Sequence, residues 1–183
     1  MADGVLTTGV ERFFDDDQII VSKTDLKGHI TYTNKVFLDI AGYAEEEVLG
    51  QPHKLIRHPE MPRCIFKLLW ETIESGSEVF AYVINRCKNG DHYWVYAHVT
   101  PSFDMNGTII GYHSNRRVPQ RDILTEAVIP LYKQLKATED ACNNRKDGLI
   151  ASDNMVAALL AEKSMAYDEF VMTLHQDKRR GFR

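Results

Sequence analysis

Asn85 stands inside a run of apolar and aromatic residues, Val79 to Asn89. A carboxamide is both donor and acceptor, and an amide among such neighbours has to be hydrogen-bonded. The polar edge of a flat cofactor ring would satisfy it, and so would a turn at the end of a strand. Trp70 lies on a segment of helical periodicity, where an indole either stacks on such a ring or fills a core. His53, Arg57 and His58 lie in Gln51-Pro52-His53-Lys54-Leu55-Ile56-Arg57-His58-Pro59-Glu60-Met61-Pro62. Imidazole and guanidinium groups there suit a pyrophosphate or ribose, although a solvated loop would carry the same residues. Asn34 is placed to touch a ring or to cap the helix that follows it. These residues offer binding of a flat, polar-edged ligand. The Gly-x-Ser-x-Gly, Gly-x-Gly-x-x-Gly and Gly-x4-Gly-Lys signatures are missing, and Asp91 beside His92 reads as a turn pair, so catalysis is poorly supported.

The elements that must position these groups follow from pattern and punctuation. Ile19–Val21 and Ile30–Tyr32 read as short strands joined by the turn Asp25-Leu26-Lys27-Gly28. Val36, Phe37, Ile40 and Ala41 give a helix between Asn34 and Gly42, and Glu45–Glu47 open a second that Gly50 closes. Prolines 52, 59 and 62 keep the next segment irregular. Cys64–Ser75 is a helix stopped by Gly76, followed by strands Val79–Asn89, Tyr93–Phe103 and Thr108–Arg116. Lys88-Asn89-Gly90-Asp91 and Asp104-Met105-Asn106-Gly107 are hairpin turns. The fold class is therefore α+β, a five-stranded antiparallel sheet with helices on one face, plus C-terminal helices.

The expected organisation is a flexible arm over 1–17, a sheet domain over 18–118, a flanking helix over 119–137 and a connector with an amphipathic helix over 138–183. Pro130 predicts a kink in the flanking helix. Ser152 or Asp153 is expected to cap a last helix striped by Val156, Leu159, Leu160, Tyr167, Phe170, Val171 and Leu174. The tail from Lys178 to Arg183 is basic and expected to fray.

The 183 residues are 44% hydrophobic and 26% charged, with a net charge of -4. That balance suits one domain with an appendage and disfavours a nucleic-acid partner. No run approaches the ~18 apolar residues of a membrane helix, and no basic-then-apolar leader opens the chain. Cys64, Cys87 and Cys142 are odd in number and scattered, which fits a reducing, cytoplasmic setting and no metal framework.

The strand and helix order, with Asn-Gly-Asp-His-Tyr-Trp-Val on the hairpin, resembles the PAS sensor domain. Gly50-Gln51-Pro52-His53, Arg57-His58-Pro59-Glu60-Met61-Pro62, Trp70 and Asn85-Arg86 with Lys88–Val95 are similar to the PAS domain of the bacterial aerotaxis receptor family over roughly residues 18 to 135. The resemblance implies non-covalent FAD, with Asn34, His53, Arg57, His58, Trp70 and Asn85 as the cofactor-binding set. It implies a redox or oxygen sensor for energy taxis that signals by conformational change, and not an enzyme. Aerotaxis receptors continue into a membrane anchor and a signalling coiled coil, which this sequence lacks. It looks more like a stand-alone PAS partner of a separate membrane receptor with HAMP or signalling domains, with a homodimer also open. The rival readings are a haem-binding gas sensor, using His53, His58, His98 or His113, and a cofactor-free interaction module. A photoreactive cysteine motif of the Asn-Cys-Arg type is absent, since Cys64 sits in Pro-Arg-Cys-Ile.

Overall fold

A computed structural model describes residues 6–176, with side chains up to Leu174, so the basic tail from Lys178 lies outside the described residues. Strands β1 (Ile20–Thr24) and β2 (Ile30–Thr33) precede helices α1 (Lys35–Ala41) and α2 (Glu45–Val48) and a 3-10 turn over His53–Ile56. Helix α3 (Arg63–Glu74) leads to β3 (Val79–Arg86), β4 (His92–Phe103) and β5 (Ile109–Arg117). The sheet is five-stranded and antiparallel throughout, in the order β2-β1-β5-β4-β3.

Local chemistry explains the elements. Alternation makes β4 and β5 present one buried face, while β3 is buried on both. Strand β3 ends at Arg86, three residues before the expected limit at Asn89, because Cys87–Asp91 closes the hairpin turn: Cys87 N donates to Asp91 O at 2.7 Å. Asn34 caps α1 by accepting from Phe37 N, and its side chain also accepts from Val21 N and donates to Ile19 O, tying the helix to β1.

Two compact units divide the chain: residues up to His58 with Thr72–Val118, and Pro59–Glu71 with the residues from Pro119 on. Residues 8–12, expected within a flexible arm, are hydrogen-bonded to the hairpin of the first unit. Thr8 N donates to Gly90 O, Arg12 N to His92 O, and His92 N to Val10 O. The second unit holds the C-terminal helices. A short α4 (Arg121–Ile123) passes through a π turn (Leu124–Val128) into α5 (Ile129–Asp140), and α6 (Arg145–Glu162) and α7 (Tyr167–Gln176) follow. The π turn sits just ahead of Pro130, whose missing N–H breaks the α-helical ladder where the kink was expected. The last helix does not start at Ser152 or Asp153. Asn144 caps α6 by accepting from Lys146 N and Asp147 N, and Ser152 is an interior, buried residue. The expected single stripe is broken between α6 and α7 by Ser164, at φ 52.

Candidate functional site

Directly paired residues of an antiparallel sheet point to the same face. Following the register from Asn85 gives that face. Asn85 pairs with Tyr93, Val83 with Val95, and Ala81 with Ala97. Ala97 pairs with Arg116 and Val99 with Ser114. Arg116 pairs with Ile20 and Ser114 with Ser22, which pairs with Thr33. All of these residues are buried. The floor is apolar and small around Ala81, Ala97 and Val95, and its polar groups stand around it.

Those polar groups are short of partners. Asn85 Nδ2, the Tyr93 hydroxyl, Ser114 Oγ, Thr33 Oγ1 and Arg116 Nη1 are all buried without a hydrogen bond of normal geometry, although the Asn85 and Tyr93 side chains interact with each other. Each such group costs about 1–3 kcal/mol. Five of the eight such groups among the described residues share this face, Arg86 Nε and His92 Nδ1 lying on the other, and a polar-edged ligand at this face would satisfy them.

Arg116 is the most costly of them. It is 3% exposed. Its Nη2 donates to Ser22 Oγ at 2.8 Å and to His53 Nε2 at 2.6 Å, and its guanidinium lies over the Phe37 ring at 5.8 Å. Among the described residues no carboxylate comes within ion-pair distance of it. Burial pulls its pKa down to about 10, so it stays a cation at neutral pH. His53 is half-buried, with its ring turned onto Arg116. Burial first, and the Arg116 charge second, push its pKa down to about 3. Arginine has no acceptor, so the neutral imidazole accepts at Nε2 and carries its proton on Nδ1. Burial raises the Tyr93 phenol above its usual range, which keeps it a donor.

The structure thus brings His53 and Asn85 to one face. It spends the Asn34 side chain on backbone groups. Arg57 meets Asn85 through a backbone bridge at the sheet edge. His58 is buried with its ring 5.5 Å from His92. Its pKa falls to about 4, through burial and then the neighbouring His92 and Arg86. Arg86 pairs with His92 on the opposite side of the strands from Asn85 and Tyr93, and His98 and His113 share that parity. Trp70 lies half-buried on α3, in the second unit. Sequence reasoning missed Arg116, Tyr93, Ser22 and Thr33 as site residues. Strand parity could have found Arg116, which falls in line with inward Tyr112 and Ser114. Among the described residues, no group of three or more His, Cys, Asp or Glu side chains could hold a metal ion. No helix among them is long and apolar enough to cross a membrane.

Residues 30–116 match the family model for the PAS fold. The chain carries a PAS domain. It is 45% identical over 123 residues to the aerotaxis receptor of Escherichia coli K12, covering 67% of this chain and 24% of the receptor. It is 25% identical over 154 residues to a nitrogen fixation regulatory protein of Klebsiella pneumoniae, covering 83% of this chain and 30% of that protein. The chain therefore spans 24% to 30% of the length of these curated relatives. Its fold is similar to the light-state structure of the blue-light photoreceptor Aureochrome1 LOV, with a TM-score of 0.54 at 23% identity, over 61% of this chain and 89% of that one. The PAS domain thus shows the expected antiparallel sheet with interposed helices, and the aerotaxis-receptor resemblance read from the hairpin and the proline-rich segment holds.

Proposed function

We propose that this PAS domain holds FAD against the face bearing Asn85 and Arg116 and acts as a redox sensor for energy taxis. The observation that carries the reading is the row of unpartnered buried polar groups, above all a buried guanidinium with no carboxylate. Leaving a buried cation uncompensated costs several kcal/mol. A ligand with an electron-rich polar edge offsets that cost, and the apolar floor at Val83, Val95 and Ala97 suits a flat ring. FAD, when bound, supplies reversible redox chemistry at its ring. Asn85 and Tyr93 bind and orient the polar edge. Arg116 places a fixed positive charge there and so favours whichever form of the ring is the more negative. A negative charge arriving beside Arg116 also weakens the lesser of the two effects that keep His53 neutral, burial being the larger. Arg57, bridged to Asn85 at the sheet edge, would serve the phosphate end. The relatives lend support: one is an aerotaxis receptor, and among the fold neighbours is a light-oxygen-voltage domain studied with a flavin analogue.

The output is a conformational change delivered to a membrane receptor of the chemotaxis type on the cytoplasmic side, with the domain sensing and not catalysing. Titration of the full chain with FAD, followed by quenching of flavin fluorescence, tests the reading. Saturable binding that weakens by about tenfold or more in Asn85→Ala is expected from loss of one buried amide contact. Binding that is unchanged in Asn85→Ala and in Arg116→Met removes the site from this face.

A further inference from the structure

Helix α3 has no cap of its own. The residue before it is Pro62, which has no side-chain acceptor, yet the first amides of a helix need one. They find it 76 residues downstream. Glu139 of α5 accepts from Arg63 N at 2.6 Å and from Cys64 N at 3.2 Å, both at Oε1. Its Oε2 accepts from Arg63 Nε at 2.8 Å. Ser152 of α6 donates to the same Oε1 at 3.0 Å, and Arg63 Nη1 donates to the carbonyl of Arg145, the first residue of α6, at 2.6 Å. The Glu139 side chain is wholly enclosed. Gly148 makes room for the junction: a Cβ there would stand 2.3 Å from the Glu139 carbonyl oxygen and 2.8 Å from Arg63 Nη2.

Three helices therefore meet at one carboxylate. What else holds α6 is modest: its buried residues are Gly148, Ser152 and Val156, which carry little apolar surface, and its other tie to α3, Lys67 Nζ to Asp153 Oδ2 at 2.9 Å, is more than a third exposed and screened by solvent. We propose that Glu139 is the buried latch that makes the start of α3 and the α5–α6 pair one cooperative unit, so that displacing α3 at its N-terminus releases α6. Within a sensor, the latch would tie the helix carrying Trp70 to the C-terminal helices. It does not depend on which ligand the sheet holds.

Amide hydrogen exchange on the full chain tests it with no cofactor spectrum involved. In Glu139→Gln, exchange at Cys64 and at the α6 amides from Ser152 to Val156 rises together by roughly tenfold or more, from loss of the charged acceptor. The sheet amides of Val83 and Val95 keep their rates. Ser152→Ala and Arg63→Gln give smaller rises that remain paired between Cys64 and α6, and they carry the test if Glu139→Gln does not fold. A rise at Cys64 with α6 unchanged would reduce Glu139 to an ordinary cap and overturn the latch. No rise at either place would overturn it as well.

Discussion

Arg116 sets two opposite expectations for one substitution. In the chain without ligand, its buried charge lacks a counter-ion, and an apolar side chain of similar length removes a desolvation cost. Arg116→Met should leave the ligand-free protein as stable as the wild type or more stable, by about 1–3 kcal/mol in urea unfolding. The same change should weaken FAD binding by about tenfold or more and lower the reduction potential of the flavin that remains bound. A destabilised ligand-free variant would show that the guanidinium is a structural prop. This residue was hard to read in the sequence because Arg116 and Arg117 are adjacent at a strand end, where arginine is ordinarily solvated. Only parity separates the buried one from the exposed one. Asn85 was legible because an amide within an apolar run demands a partner. Asn34 was ambiguous in the sequence, and its side chain makes three hydrogen bonds to backbone groups, the helix cap among them.

At the scale of elements, the N-terminal segment is clasped by the hairpin whose strands carry Asn85 and Tyr93. Asp91 accepts from Thr8 Oγ1 at 2.6 Å and pairs with Arg12 Nε at 3.2 Å, while Arg12 Nη1 donates to Ile40 O at 3.1 Å. Its hydrogen bonds from Thr8 and Asn89 hold the Asp91 carboxyl below the usual range, so the clasp is charged at neutral pH. Gly90 permits the close approach: at φ +93, an added Cβ would lie 2.3 Å from Leu6 O. Gly90→Ala and Asp91→Ala should both free the segment, seen as faster tryptic cleavage after Arg12 and faster amide exchange at Thr8 and Arg12. Unchanged cleavage in both would mean that the segment is held elsewhere. None of this was visible as a pattern, because residues 6–14 neither alternate nor repeat and are ordered by one carboxylate and a few backbone bonds. The sheet was legible for the contrary reason, as alternation and the turns at Asn89-Gly90 and Asn106-Gly107 are local signals. The C-terminal helices misled because Ser152 ahead of an apolar run imitates a cap, whereas its hydroxyl serves Glu139.

For the whole molecule, the two buried imidazoles make stability depend on pH. The folded chain holds His53 near pKa 3 and His58 near 4, against an ordinary value of 6.5. The unfolded chain therefore binds more protons below pH 6.5, and stability falls as pH drops through that value. The loss continues to about pH 4 for His58 and about pH 3 for His53. The upper part of this range, from pH 6.5 to about 5.5, lies above the ordinary carboxylate values and reads the histidines most cleanly. The thermal midpoint of the ligand-free chain should decline across it, and His53→Gln with His58→Gln should flatten the decline. A wild-type profile that is already flat there would mean that neither imidazole is held neutral.

Whether the polar-rimmed sheet face takes a flavin is tested most directly by the visible absorption spectrum of the purified full chain. After incubation with FAD and removal of the excess by gel filtration, the wild type should keep the bands of oxidised flavin, and Arg116→Met should lose most of them. A wild-type chain that emerges colourless, or that shows a Soret band instead, would contradict the account.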